Sequence, residues 1–122
     1  MPEQKPMHFT LKVPIYPARI FFSISQNNEE FKRSVKKFYN GNYEWQSASG
    51  LGRTTQVKNG NIVIELKEYP SCPKSQGTLA HEIFHAVHFI ADYAGLRLTM
   101  DSDESYAYLL DWITTEVYKR IS

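Results

Sequence analysis

Hydrophobic and polar positions divide the chain into short strand-like runs at its front and longer helical periodicities at its back. Residues 8–13 and 19–25 are rich in β-branched and aromatic side chains and read as strands. Pro14 and Pro17 interrupt them, so the two runs form either a hairpin or one bent strand. Asn27-Asn28-Glu29-Glu30 then reads as a helix start. Phe31, Val35, Phe38 and Tyr39 follow at amphipathic spacing, as far as a stop near Asn40-Gly41. From 43 to 53 Ser, Gly and aromatic residues recur without a period. The clearest β signal comes next: residues 54–58, then Asn59-Gly60, then 61–66. Asn-Gly supplies the positive φ angles of a two-residue hairpin turn. Beyond Pro70 and Pro73 a helix is expected over about 76–94, ended by Gly95. A last helix begins around Ser102 or Asp103 and runs nearly to the C-terminus. Strands followed by helices make an α+β fold. With 122 residues and no repeat or linker, it is one domain over 1–122, with 1–7 as a flexible arm.

The penultimate helix carries the chemistry. At 100° per residue, Ile83, Val87, Ile90 and Ala94 fall on one side, while His81, His85, His88 and Asp92 fall on the other. Solvated faces are usually built from Glu and Lys, so a stripe of three histidines and a carboxylate points to a site. His81 and His85, four apart, project one turn apart from one face and can share one ion. Glu82 sits between them, in a His-Glu-x-x-His pattern. Uncharged neighbours from Thr78 to Val87 suit a buried helix.

Catalytic zinc takes three protein ligands and a water. Glu104 is the candidate third ligand: eighteen residues after His85 allow one helix to finish and the next to return. On that final helix Glu104, Tyr108, Asp111 and Thr115 are expected to share a face, opposite Tyr106, Leu110, Ile113 and Val117. The bland alternative places Glu104 in a capping box with Asp101 as N-cap. Asp101 and Asp103 read better as caps or turn residues than as ligands. Asp92 lies about 10 Å along the helix from His85, too far to ligate.

His81-Glu82-x-x-His85, eighteen residues and then Glu104 resembles the gluzincin group of zinc metallopeptidases. Position 88 is His and position 91 is Ala, which departs from the metzincin pattern. The chain looks most similar to short peptidases of phages and bacteria, distantly like the SprT-like and IrrE-like groups. The resemblance covers roughly residues 54–111. It implies a minimal zincin-like fold, with a small antiparallel or mixed sheet packed on the active-site helix and the C-terminal helix, plus one helix from the front half. It further implies zinc held by His81, His85 and Glu104, with Glu82 as general base toward a zinc-activated water. In the family, extended substrate pairs with the strand preceding the metal helix, here 61–66. Only 18 residues follow Glu104, so the oxyanion-stabilising group of larger members is missing. Tyr108 and His88 are the substitutes to test, and Asp111 is placed to orient a ligand imidazole. No Gly-x-Met-x-Asn motif is present to fix a free substrate amine, which favours endopeptidase action on a protein or peptide.

Composition adds limits. The net charge is +1, but residues 1–74 carry 11 bases and 6 acids, and residues 75–122 carry 3 and 7. Lys32, Arg33, Lys36 and Lys37 cluster at helical spacing and read as a solvated face, so nucleic acid is not an expected partner. Cys72 is the only cysteine, which excludes an intrachain disulfide and a cysteine-framed zinc site. It is either a small loop hydrophobe or a thiolate able to cap the zinc. No leader-like apolar run and no membrane span is read, so a cytoplasmic protein is expected. So short a chain calls for a partner or a second copy to complete its cleft. The rival readings are a non-catalytic zinc-binding interaction domain and a SprT-like protease coupled to nucleic-acid binding. Glu82 argues against the first, because a structural zinc site needs no carboxylate beside its water.

Overall fold

A computed structural model describes residues 6–41 and 43–121. Four strands form one mixed sheet in the order β1-β2-β4-β3. β1 (Met7–Lys12) and β2 (Arg19–Ile24) pair antiparallel, so the two front runs form a hairpin rather than one bent strand. Pro14 and Pro17 stay outside the pairing, and the Val13 N–H donates to the Ala18 carbonyl across the loop. Met7 opens β1, which shortens the arm expected at 1–7. Residues 1–5 of that arm lie outside the described residues.

α1 (Asn28–Phe38) starts as its sequence dictates. The Asn27 side chain accepts from the Glu30 N–H at 2.8 Å, and the Glu30 carboxylate accepts from the Asn27 N–H at 2.9 Å. Phe31 and Val35 are buried on the sheet with Phe21, Val63 and Trp45. The chain then forms β3 (Gly52–Gln56) and β4 (Ile62–Leu66), an antiparallel pair. Asn59 and Gly60 do adopt positive φ, 65° and 75°. Strand pairing nevertheless stops at Gln56 opposite Ile62, and a short 3₁₀ turn over Lys58–Gly60 makes the connection longer than two residues. The space beside Gly60 is taken by the Tyr93 ring.

α2 (Pro73–Tyr93) and α3 (Asp103–Ile121) cover the sheet face opposite α1. Pro73 at the first turn starts α2 earlier than the periodicity suggests. Leu79, Ile83, Ala86, Val87, Ile90 and Ala91 form its buried stripe, meeting Ile20, Phe22, Ile62 and Ile64 of the sheet. Ala94 falls outside it. α3 buries Tyr106, Leu109, Ile113 and Val117, so Leu109 holds the core position expected of Leu110, which is exposed. The chain is a small α+β fold: a mixed four-stranded sheet with α1 on one face and α2 and α3 on the other. No helix among the described residues is long and apolar enough to cross a membrane.

Candidate metal centre

His81 and His85 lie on the exposed side of α2, with Nε2 atoms 3.1 Å apart and rings nearly perpendicular. Two zinc–nitrogen bonds of about 2.0–2.1 Å at a tetrahedral angle separate their nitrogens by about 3.3 Å. The pair therefore fits one ion. The same distance also suits a hydrogen bond between the two rings, with donor and acceptor set by their tautomers. Among the described residues no group of three or more His, Cys, Asp and Glu side chains is placed to hold a metal.

Glu82 faces away from the exposed side that carries the two imidazoles. It belongs to the sheet-facing side of α2 and is 6% exposed. A carboxylate buried without a partner is strongly unfavourable. Here the Thr54 hydroxyl of β3 donates to Glu82 Oε1 at 2.6 Å. Gly52, two residues earlier on the same face of β3, makes the room. A Cβ there would lie 3.0 Å from Glu82 Cγ and 3.1 Å from Oε2. Neither Gly52 nor Thr54 was marked by periodicity, because their contribution is small size and one hydroxyl at a sheet edge.

Between β3 and α2 opens a cleft of about 500 Å³ lined by Leu51, Gly52, Lys74, Gly77, Thr78, His81 and Glu82. The strand expected to pair with substrate, 61–66, is unavailable: β4 is bonded to β2 on one side and β3 on the other, and all five of its residues are buried. The free edge beside the cleft belongs to β3. Gly77, inside α2, is a further cleft residue that the sequence reading passed over. Helical glycine is destabilising by about 0.5–1 kcal/mol relative to alanine, which is the signal that marks it.

The other candidates lie apart. Glu104 is exposed in the first turn of α3, and its side chain makes no hydrogen bond or ion pair among the described residues. The capping box with Asp101 is thus not formed. Ser102 precedes the helix instead, its hydroxyl accepting from the Thr99 N–H. Tyr108, 69% exposed, lines a separate apolar groove of about 400 Å³ with Val13, Ile15, Leu109 and Trp112, not the cleft of His81 and Glu82. His88 is exposed beside Phe89, outside the His81–His85 pair. Asp111 accepts from Thr115 Oγ1 at 3.2 Å and orients no imidazole. Cys72 is the exposed N-cap of α2, bonded to Ser75, and belongs to no metal-holding group among the described residues. Comparison with protein-family models, curated proteins and solved structures finds no match to the chain.

Proposed function

We propose that the chain is a zinc-dependent endopeptidase of minimal zincin-like build, working at the cleft between β3 and α2. The observation that carries this reading is the junction of two imidazoles at metal-sharing distance with a buried carboxylate on the next residue, beside a free sheet edge. His81 and His85 would hold the ion through Nε2; Glu104, which lies apart from them, would have to be brought to the pair to serve as the third protein ligand. When bound, zinc would act as a Lewis acid and lower the pKa of its water toward neutrality. Glu82 takes the proton of the attacking water on its carboxylate and returns it to the leaving amine. Thr54 fixes that carboxylate from the sheet side and Gly52 lets it sit close to β3. The β3 edge offers unpaired backbone groups to an extended peptide, which aligns its amide bond along α2.

Metal analysis of the natively purified chain, beside peptide hydrolysis by wild type and the Glu82→Gln variant, tests the reading. Stoichiometric zinc with hydrolysis lost in Glu82→Gln is the expected result. Absence of zinc from the wild type removes the reading. Zinc without hydrolysis leaves a non-catalytic zinc domain in its place.

A further inference from the structure

We propose that the cleft between β3 and the first half of α2 carries a carboxylate subsite, with Lys74 as counter-ion and Gly77 as the clearance beside it. Peptides bearing an acid are then its substrates; calling them substrates rests on the peptidase reading, while the subsite itself does not.

Two residues of α2 oppose helix stability, and both line this cleft. Gly77 is the fifth residue of the helix, and a Cβ built on it would meet no described atom within 4 Å. That separates it from Gly52 and Gly60, where Glu82 and the Tyr93 ring fill the space a Cβ would need. Packing within the chain therefore gives no reason for a glycine at 77. The volume it leaves opens on the cleft, where an occupant can approach the helix backbone closely.

Lys74 is the second residue of α2, where a cation opposes the helix dipole, and the first turn holds no acidic residue to offset it. Its ammonium makes no hydrogen bond or ion pair among the described residues. Glu68 shares a small neighbouring cavity with Lys74 without forming an ion pair. The carboxylate in the cleft lining, Glu82, lies eight residues beyond Lys74 on the helix and is held by Thr54 of β3. An anion beside Lys74 thus finds an unengaged cation with no described acid bonded to it. Local preferences broken twice at one cleft, with no gain inside the fold, mark a place shaped for a ligand.

The spacing gives the subsite a position. Lys74, Thr78, His81 and His85 follow one another at i, i+4, i+7 and i+11 on one helix face. Seven residues of helix place Lys74 about 10 Å from His81, which equals roughly three residues of extended peptide. The carboxylate is then an acidic side chain about three residues from the scissile bond, or the chain end itself.

Three N-acetylated hexapeptides separate these sources: one with a single Glu and an amidated end, one neutral with a free C-terminal carboxylate, and one neutral and amidated. Binding to the ¹⁵N-labelled chain is followed at the Gly52, Gly77 and Thr78 amides, with the neutral chelator phenanthroline present to stop hydrolysis. One acid peptide should bind about tenfold more tightly than the neutral amide, the scale of one charge-assisted hydrogen bond. Which of the two does so identifies the source. Lys74→Gln should abolish the preference. Gly77→Ala should weaken the same peptide about tenfold while raising the melting temperature. Equal affinity for all three peptides, binding of none, a preference that survives in Lys74→Gln, or unchanged binding in Gly77→Ala overturns the proposal. Zinc content and hydrolysis are read separately: acid preference without zinc keeps the subsite and removes the peptidase, and zinc with hydrolysis but no acid preference keeps the peptidase and removes the subsite.

Discussion

The Thr54 hydroxyl and the Glu82 carboxylate meet at 2.6 Å across the contact between β3 and α2. Thr54 stands at the sheet edge, and Glu82 is buried against it. Replacing Thr54 by Val keeps the shape and removes the donor, leaving the carboxylate without its hydroxyl partner. The expected loss is about 1–3 kcal/mol of folding free energy at pH 7, measured by urea denaturation. Thr54→Ser should recover most of it. An unchanged urea midpoint in Thr54→Val would show that the hydroxyl does not hold Glu82.

Gly52 makes a sterically separate demand at the same junction. In Gly52→Ala the new methyl meets Glu82 Cγ at 3.0 Å and Thr78 Cγ2 at 3.2 Å, with helix backbone behind both. Overpacking of this kind is destabilising by about 1–3 kcal/mol. The Thr54–Glu82 bond should lengthen with it, so the Gly52→Ala, Thr54→Val double variant should lose less than the sum of the single losses.

The start of α1 and the histidine pair are legible because their signals are local: Asn and Glu residues at a helix start, and two histidines one turn apart. The start of α2 is not, because Pro73 reads equally as the end of the preceding hairpin. Nor is register between strands. Nothing in residues 61–66 reveals that β4 is bonded on both sides, because a buried central strand and a strand with a free edge can both be continuous apolar runs. The α3 stripe slipped by one residue, Leu109 for Leu110, because neighbouring positions differ by 100° and both are Leu. Gly52 and Thr54 carry no periodic signature, and their importance exists only once α2 lies against β3.

Zinc that binds the folded chain alone should stabilise it by mass action. The expected gain is about 2.7 kcal/mol at a hundredfold excess over Kd, or roughly 10 °C in melting temperature for a domain of this size. His81→Ala and His85→Ala should abolish the shift, since each removes one nitrogen of the 3.1 Å pair. Glu104→Ala should reduce the shift. A shift equal to that of wild type would take Glu104 out of the ligand set.

Glu65, 2% exposed, pins the aperiodic stretch before β3. Its oxygens accept from Ser47 Oγ at 2.7 Å and from the Ala48 N–H at 2.9 Å, with Arg53 Nη2 at 3.4 Å. That attachment holds Ala48 and the buried Trp45, which packs edge-on to Phe31. In Glu65→Ala the Ala48 N–H loses its acceptor and the Arg53 guanidinium loses its carboxylate. About 2–3 kcal/mol should be lost, the range for hydrogen bonds to a charged group. Hydrogen exchange supplies a local check: the Ala48 amide should lose its protection, whereas β4 amides bonded to β2 should change only as far as global stability does.

Cys72 lies at the entrance of α2, where the Ser75 hydroxyl bonds to its sulfur at 3.3 Å. That contact, and next the Ser75 backbone N–H, hold the thiol pKa below its ordinary value. A depressed folded pKa means that the thiolate favours the folded chain. Its contribution to stability is present above the unfolded thiol's pKa and fades as pH falls through the lower folded value. The thiol is fully exposed, so solvent screening keeps that contribution small, and reactivity is the sensitive readout. Iodoacetamide should alkylate Cys72 with a half-maximal rate at a lower pH in the native chain than in urea, because the thiolate is the nucleophile. Ser75→Ala removes the hydroxyl and should move the native midpoint upward toward the unfolded one. Coincident native and unfolded midpoints in the wild type would mean that the Ser75 contact does not form in solution. A low midpoint retained in Ser75→Ala would assign the shift to the backbone N–H alone.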